Sequence, residues 1–175
     1  MKESEPLELH VPALNELWFR QKMMSDPDTM SYNAGYDDFE GYHRDTGCID
    51  FPESAWEEWY EHWIGREPER FYAYIRRRAD GEFLGEVCCY HVPERDWYDM
   101  GIVLFAPYRG RGYAVPALRL LIDRAFRVCG VTRLHNYFEP SRISARKAHL
   151  AAGFHEIVTP EGMVSLTLTP DDLNG

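Results

Sequence analysis

Apolar and polar positions alternate at the start of the chain. Leu7, Leu9 and Val11 are separated by Glu8 and His10, a period of two that predicts a short strand. Pro12 then opens a helical pattern, with Leu14, Leu17 and Trp18 at i, i+3 and i+4. Residues 25–51 have no period, and they hold three glycines, a proline and the aromatics Tyr32, Tyr36, Phe39 and Tyr42. A connection this long is functional or disordered, and four aromatics argue against disorder. It leaves room for a short helix without marking its place. Ser54 followed by Glu57 predicts a capping box. Trp56, Trp59, Tyr60 and Trp63 then share one helix face, read as core packing, and Gly65 and Pro68 end the helix.

Strand patterns dominate the next part. Phe71–Ile75 and Phe83–Val92 flank an Asp80-Gly81 turn and read as a hairpin. Asp99–Phe105 is a further strand, stopped at Ala106-Pro107 because proline cannot continue a central ladder. Leu118, Leu121, Ile122 and Ala125 mark one face of a helix closed by Gly130. Leu134–Phe138 reads as a strand, Ser144–Ala152 as a helix stopped by Gly153, and Phe154–Val158 and Met163–Leu168 as final strands. The order predicts an α/β fold with a mixed sheet, of meander and crossover parts.

At 175 residues the chain has the size of one domain, read as 1–65 and 66–175 within a single core. No apolar run reaches the roughly 20 residues of a membrane span, and the polar start MKESEPLELH has no signal-peptide core. A cytoplasmic protein that does not enter membranes is expected. Cys48, Cys88, Cys89 and Cys129 form no C-x-x-C pair, and neighbours in a strand point to opposite faces. That is poor geometry for zinc or a disulfide framework, so buried thiols and no metal are expected.

The net charge of −10 argues against nucleic acid as a partner. It is unevenly spread: residues 1–63 carry 15 acidic and 4 basic side chains, whereas 109–147 carry 9 basic and 2 acidic. One part is suited to an anion and the other to a cation, although charge runs are often only solvated faces.

Asp99–Ala114, DMGIVLFAPYRGRGYA, gives the basic part a use. An apolar strand runs into a glycine-rich turn that opens a helix, where unpaired backbone N–H groups and the helix dipole favour an anion. Gly110 and Gly112 let a phosphate approach the backbone, and Arg109 and Arg111 add charge suited to its oxygens. The stretch is neither a Walker loop nor G-x-G-x-x-G, since Val115 stands three after Gly112. A phosphate cradle and an ordinary helix-opening turn both remain open on these residues alone.

The stretch resembles the acyl-CoA-binding signature of the GNAT superfamily of N-acetyltransferases, R/Q-x-x-G-x-G/A after an apolar strand, matched by Arg109, Gly112 and Ala114. Ala145–Phe154, ARKAHLAAGF, resembles that superfamily's second conserved helix with its Gly-Phe ending. The resemblance spans about 83–158 and implies a mostly antiparallel sheet with a V-shaped splay between two parallel strands, near Phe105 and residues 134–138. It implies acetyl-CoA as co-substrate, with its pantetheine arm on the backbone of Ile102, Val103 and Leu104. Its pyrophosphate would lie on the loop Arg109, Gly110, Arg111, Gly112, Tyr113 and Ala114. A backbone N–H near Val103 or Leu104 would face the acyl oxygen. The implied reaction is direct attack by a neutral amine on the thioester.

Asp99, ten residues before Arg109, stands where many relatives carry the base that takes the amine's proton; the bland alternative is an aspartate paired with arginine. His149 stands where many relatives have a tyrosine that protonates the departing thiolate, and Arg142 where they have asparagine. His149 is thus a candidate acid or a buried helix residue. The acidic N-terminal part lies where the superfamily places its acceptor. Tyr32, Tyr36, Asp37 and Asp38 are therefore candidate ligands of a small amine, cationic in this reading, or of a peptide N-terminus; a solvated acidic loop is the alternative. A non-catalytic acyl-CoA sensor and an unrelated nucleotide binder are the competing functions. Aromatic-rich surface is compatible with a homodimer.

Overall fold

The computed structural model describes residues 5–175. Seven strands form one mixed sheet in the order β1-β2-β3-β4-β5-β7-β6. They are β1 (Leu7–His10), β2 (Arg70–Arg77), β3 (Phe83–Val92), β4 (Trp97–Leu104), β5 (Leu134–Phe138), β6 (His155–Val158) and β7 (Val164–Leu168). All neighbours are antiparallel except β4 and β5. The helices are α1 (Trp18–Met24), α2 (Pro27–Met30), α3 (Trp56–Trp63), α4 (Ala114–Arg127) and α5 (Ile143–Ala151). This is the mixed α/β sheet that the element order predicts, with the parallel pair that the resemblance implies.

Strand alternation assigns each face its own core. Phe71, Ala73 and Ile75 of β2, with Val87, Cys89 and Met100, meet Leu118, Leu121 and Ala125 of α4. Tyr72 and Tyr74 point the other way, onto Leu17, Phe19, Met23 and Met24, with Trp56, Trp59, Tyr60 and Trp63 packed around them. Cys88 and Cys89 divide between the two clusters as neighbours in a strand must. All four cysteines are free thiols, and burial pushes the Cys88 thiol up to about 12.

Two local expectations are corrected, and a helix left unplaced is located. The pattern after Pro12 does not run as one helix: a 3-10 turn at Leu14–Glu16 rephases the chain before α1. Leu17 is therefore buried, whereas Leu14 and Trp18 are exposed and Phe19, Met23 and Met24 form the buried face. The Ser54–Glu57 capping box does not form either. Residues Glu53–Ala55 make a 3-10 turn, and α3 starts at Trp56 without a side-chain cap. The short helix within 25–51 is α2, whose N-cap Asp26 accepts from Thr29 N–H at 3.1 Å, with Pro27 in its first turn. An Asp-Pro start was the signal that could have located it.

Among the described residues no helix is long and apolar enough to cross a membrane, and no group of three metal-ligating side chains is placed to hold an ion.

Candidate active site

The parallel pair holds for only two register pairs, Tyr98↔Leu134 and Asp99↔His135. Beyond them β4 and β5 separate, and a cleft of about 460 Å³ opens between Ile102–Leu104 and Ser144, Ala145 and Ala148 of α5. Backbone alternation decides which groups face it. Phe105 N–H donates to Leu84 on the β3 side, and Tyr98 N–H donates to Arg133 on the β5 side. Even-numbered residues of β4 therefore turn their peptide groups toward the cleft and odd-numbered ones toward β3. Ile102 and Leu104 thus face the cleft, while Val103 gives its backbone to β3 and lines the cleft with its side chain. Of the two candidate oxyanion donors, Leu104 N–H alone points the required way.

The cleft's outer end is the glycine loop. Gly110 and Gly112 have φ of +72° and +86°, the left-handed region glycine enters without steric cost. Arg109 N–H is spent on Ala106 O. From Gly110 to Ala114 the backbone N–H groups have no acceptor among the described residues and lead into the N-terminus of α4. This is a row of donors suited to an anion. Arg111 is exposed beside them. Tyr113 is buried, and its hydroxyl donates to Glu5 at 2.5 Å and accepts from Arg77 at 3.1 Å. Only its backbone can serve the loop.

Arg109 lines the cleft and is also bonded within the fold. Its guanidinium donates to Leu104 O at 3.1 Å, Asp28 O at 2.9 Å and Thr29 O at 2.7 Å. Thr29 is fully buried, and its hydroxyl accepts from Ala106 N–H at 3.0 Å. Together these bonds tie α2 to the end of β4 and set Tyr32 against the cleft. Sequence reasoning missed Thr29, which no motif marks.

Asp99 lies at the apex of the splay, where the strands part, with a third of its side chain exposed. Its Oδ1 lies 2.8 Å from His135 Nδ1, and His135 Nε2 lies 3.0 Å from Ser165 Oγ. Trp97 stacks on the same imidazole at 4.1 Å. The carboxylate is therefore oriented by histidine and not by arginine, a partner the sequence reading did not name.

His149 is buried on the cleft's other wall. Its Nδ1 lies 2.7 Å from Ala145 O, and its Nε2 lies 3.0 Å from Asn136 Nδ2. Arg142 stacks between Tyr32 and Phe138, 4.8 Å and 5.0 Å from the ring centres. It forms no ion pair among the described residues, and burial lowers its pKa. The remaining acceptor candidates separate. Tyr32 lines the cleft, whereas Tyr36, Asp37 and Asp38 are exposed on the loop and do not. The loop is nonetheless folded: Tyr42 hydroxyl donates to Asn33 O at 2.5 Å and accepts from Tyr36 N–H at 3.0 Å.

Residues 7–155 match the sequence profile of the Acetyltransferase (GNAT) domain. The chain belongs to the GNAT acetyltransferase family. No curated relative matches it by sequence. Its fold is similar to that of a GNAT-family acetyltransferase from Bacillus anthracis, at 13% identity, TM-score 0.71, covering 97% of this chain and 98% of that one. It is also similar to spermidine N-acetyltransferase from Vibrio cholerae in complex with CoA and spermine, at 13% identity and TM-score 0.75, with the same coverages. A third similar structure is an aminoglycoside acetyltransferase in complex with coenzyme A and kanamycin, at 15% identity and TM-score 0.70, covering 97% and 98%. For this GNAT chain the candidate site is the cleft between β4 and α5, with the glycine loop at its outer end.

Proposed function

We propose that the protein transfers the acetyl group of acetyl-CoA to the amine of a small acceptor by direct attack. The observation that carries this reading is the unpaired edge of β4. The Ile102 peptide groups and the Leu104 N–H face a cleft that ends in the free N–H groups of Gly110–Ala114. The pantetheine arm lies along that edge as an added strand, and the pyrophosphate rests on the loop. Leu104 N–H stabilises the oxyanion, a kind of contact worth about 3 kcal/mol at the transition state. Asp99, directly or through a water, takes the proton of the attacking amine, and His135 holds its carboxylate in place.

The acceptor approaches over the face that carries Asp99. By strand alternation and register Trp97, Tyr90 and Tyr137 share that face, and Tyr90 and Tyr137 are exposed. A carboxylate among aromatic faces suits an ammonium group. The support for a cationic amine thus moves from Asp37 and Asp38 to this platform.

Thiol release from acetyl-CoA, measured against amines grouped by charge, tests the reading. Amine-dependent release that is fastest with cations is expected. Release with no amine dependence would overturn it.

A further inference from the structure

An acetyl transfer leaves a thiolate that must gain a proton, and the structure removes the expected donor. His149 Nδ1 faces a carbonyl oxygen and therefore carries the ring proton. Asn136 cannot turn to accept from Nε2, because its Oδ1 already accepts from Tyr137 N–H at 2.8 Å. Its Nδ2 donates to His149 Nε2, which is consequently an acceptor. Burial and the nearby Arg142 charge hold this imidazole neutral. A neutral ring whose one proton is bound to Ala145 has none to give into the cleft.

Tyr32 also lines the cleft, with Val103 and Leu104 among its other lining residues. The buried tyrosines Tyr72 and Tyr74 spend their hydroxyls on Glu86 and on Glu16 O. The Tyr32 hydroxyl makes no hydrogen bond among the described residues, and burial followed by the charges of Glu86, Arg142 and Arg20 acts on it. Its ring is fixed by the Arg142 guanidinium on one face. Its segment is fixed by Arg109 on Thr29 O and by the Asn33 side chain, which donates to Gly47 O at 3.0 Å. An oriented hydroxyl with no partner inside the fold is available to a ligand.

We propose that Tyr32 is the acid that protonates the departing thiolate of CoA; this rests on the acetyl-transfer reading. The amine nitrogen bonds to the carbonyl carbon as its proton passes to Asp99 or a water beside it. The carbon–sulfur bond then breaks, its electron pair stays on sulfur, and the Tyr32 hydroxyl proton moves to that sulfur. Solvent reprotonates the phenolate when the products leave. Burial pushes the Tyr32 hydroxyl up to about 12, so it is protonated at neutral pH, and the Arg142 and Arg20 charges favour the phenolate. Glu86 and Cys88 of β3 act in the opposite direction, and Arg109 of the loop also faces this group. Arg142, standing where relatives carry asparagine, thereby gains a use: its charge lies on the ring that must bear the negative charge.

The test uses the full-length protein with acetyl-CoA and its best amine. Tyr32→Phe keeps the stacked ring and removes one oxygen. kcat is expected to fall about 100-fold, the scale of a lost general acid, with the KM for acetyl-CoA and the melting temperature unchanged. 3,5-Difluorotyrosine at position 32 keeps the shape and makes the hydroxyl more acidic. It should bring an alkaline limb into the measurable range of the kcat–pH profile that the natural residue lacks. A Tyr32→Phe rate within threefold of wild type, or a fluorinated variant with the wild-type profile, overturns the inference alone. Absence of amine-dependent thiol release by the wild type overturns acetyl transfer and this inference with it.

Discussion

Arg109 donates from Nη2 to the carbonyl oxygen of Thr29 at 2.7 Å, across 80 positions of sequence. The arginine that begins the acyl-CoA signature is thus part of the joint between the acceptor-side segment and β4. Its companion Arg111 makes no side-chain hydrogen bond or ion pair among the described residues and lies 5.8 Å from the centre of the Tyr108 ring.

The two arginines should therefore fail in different ways. Arg109→Lys keeps the charge but cannot reach three carbonyls at once. A loss of about 1–3 kcal/mol is expected for those bonds, together with a raised KM for acetyl-CoA. Arg111→Ala should raise that KM and leave the melting temperature where it is. Thermal melts and acetyl-CoA titrations on both variants decide it. Equal behaviour of the two would refute the division of labour.

Asp99→Asn retains an oxygen to accept from His135 but cannot take a proton. With the geometry preserved, kcat/KM for the acceptor is expected to fall by about 100-fold. Acetyl-CoA affinity should be unaffected, because the phosphate loop and β4 edge do not involve this side chain. A variant with the full rate across pH would remove Asp99 from the chemistry.

Gly85 is the tightest point behind the cleft. A Cβ built there would meet Val103 O at 2.2 Å and Leu104 Cα at 3.0 Å, both backbone atoms. Gly85→Ala must push β3 from β4 where the Leu104 N–H is aimed. Gly112 is the opposite case, with positive φ but nothing within 4 Å of the added carbon. Gly112→Ala should cost about 1 kcal/mol of stability from the left-handed backbone. Gly85→Ala should cost more, and should lower kcat as well as stability. Melting temperatures and kcat measured side by side distinguish them.

The elements that periodicity reveals were legible because one face of each is buried. The β3 strand came out with its bounds, and the α4 stripe of Leu118, Leu121, Ile122 and Ala125 is buried as spaced. The glycine loop was legible because its chemistry is local: positive φ and free amides come from adjacent residues. The rest depends on contacts remote in sequence. Nothing near Thr29 announces that Ala106 and Arg109 will need its oxygens. The pairing of Asp99 with His135 requires knowing that β4 and β5 lie side by side. The 3-10 turn before α1 changed what Leu14 and Trp18 do, and the one before α3 left Ser54 without a capping role. Composition marked the acidic loop but not that Asp37 and Asp38 stand exposed outside the cleft, because exposure cannot be read from charge.

His149 supplies a test of the buried wall that does not depend on turnover. Its imidazole is held neutral, so its native pKa lies below the ordinary value of 6.5 that it regains on unfolding. Between those two values the unfolded chain binds more protons than the folded one, and stability must fall as the pH falls. The stabilisation is complete above about 6.5 and is lost as pH drops through the lower, native value. His149→Gln removes this titration while keeping a side chain that can bond Ala145 or Asn136. The variant is expected to melt lower than wild type at pH 8, because a fully buried ring has been lost. The gap should narrow toward pH 5, since only the wild type still has the His149 imidazole to charge. All other side chains are the same in both proteins, so their contributions cancel in the difference. Parallel melting curves against pH would mean that His149 takes up its proton as readily in the fold as out of it. The argument that it cannot serve as the acid would then lose its electrostatic half.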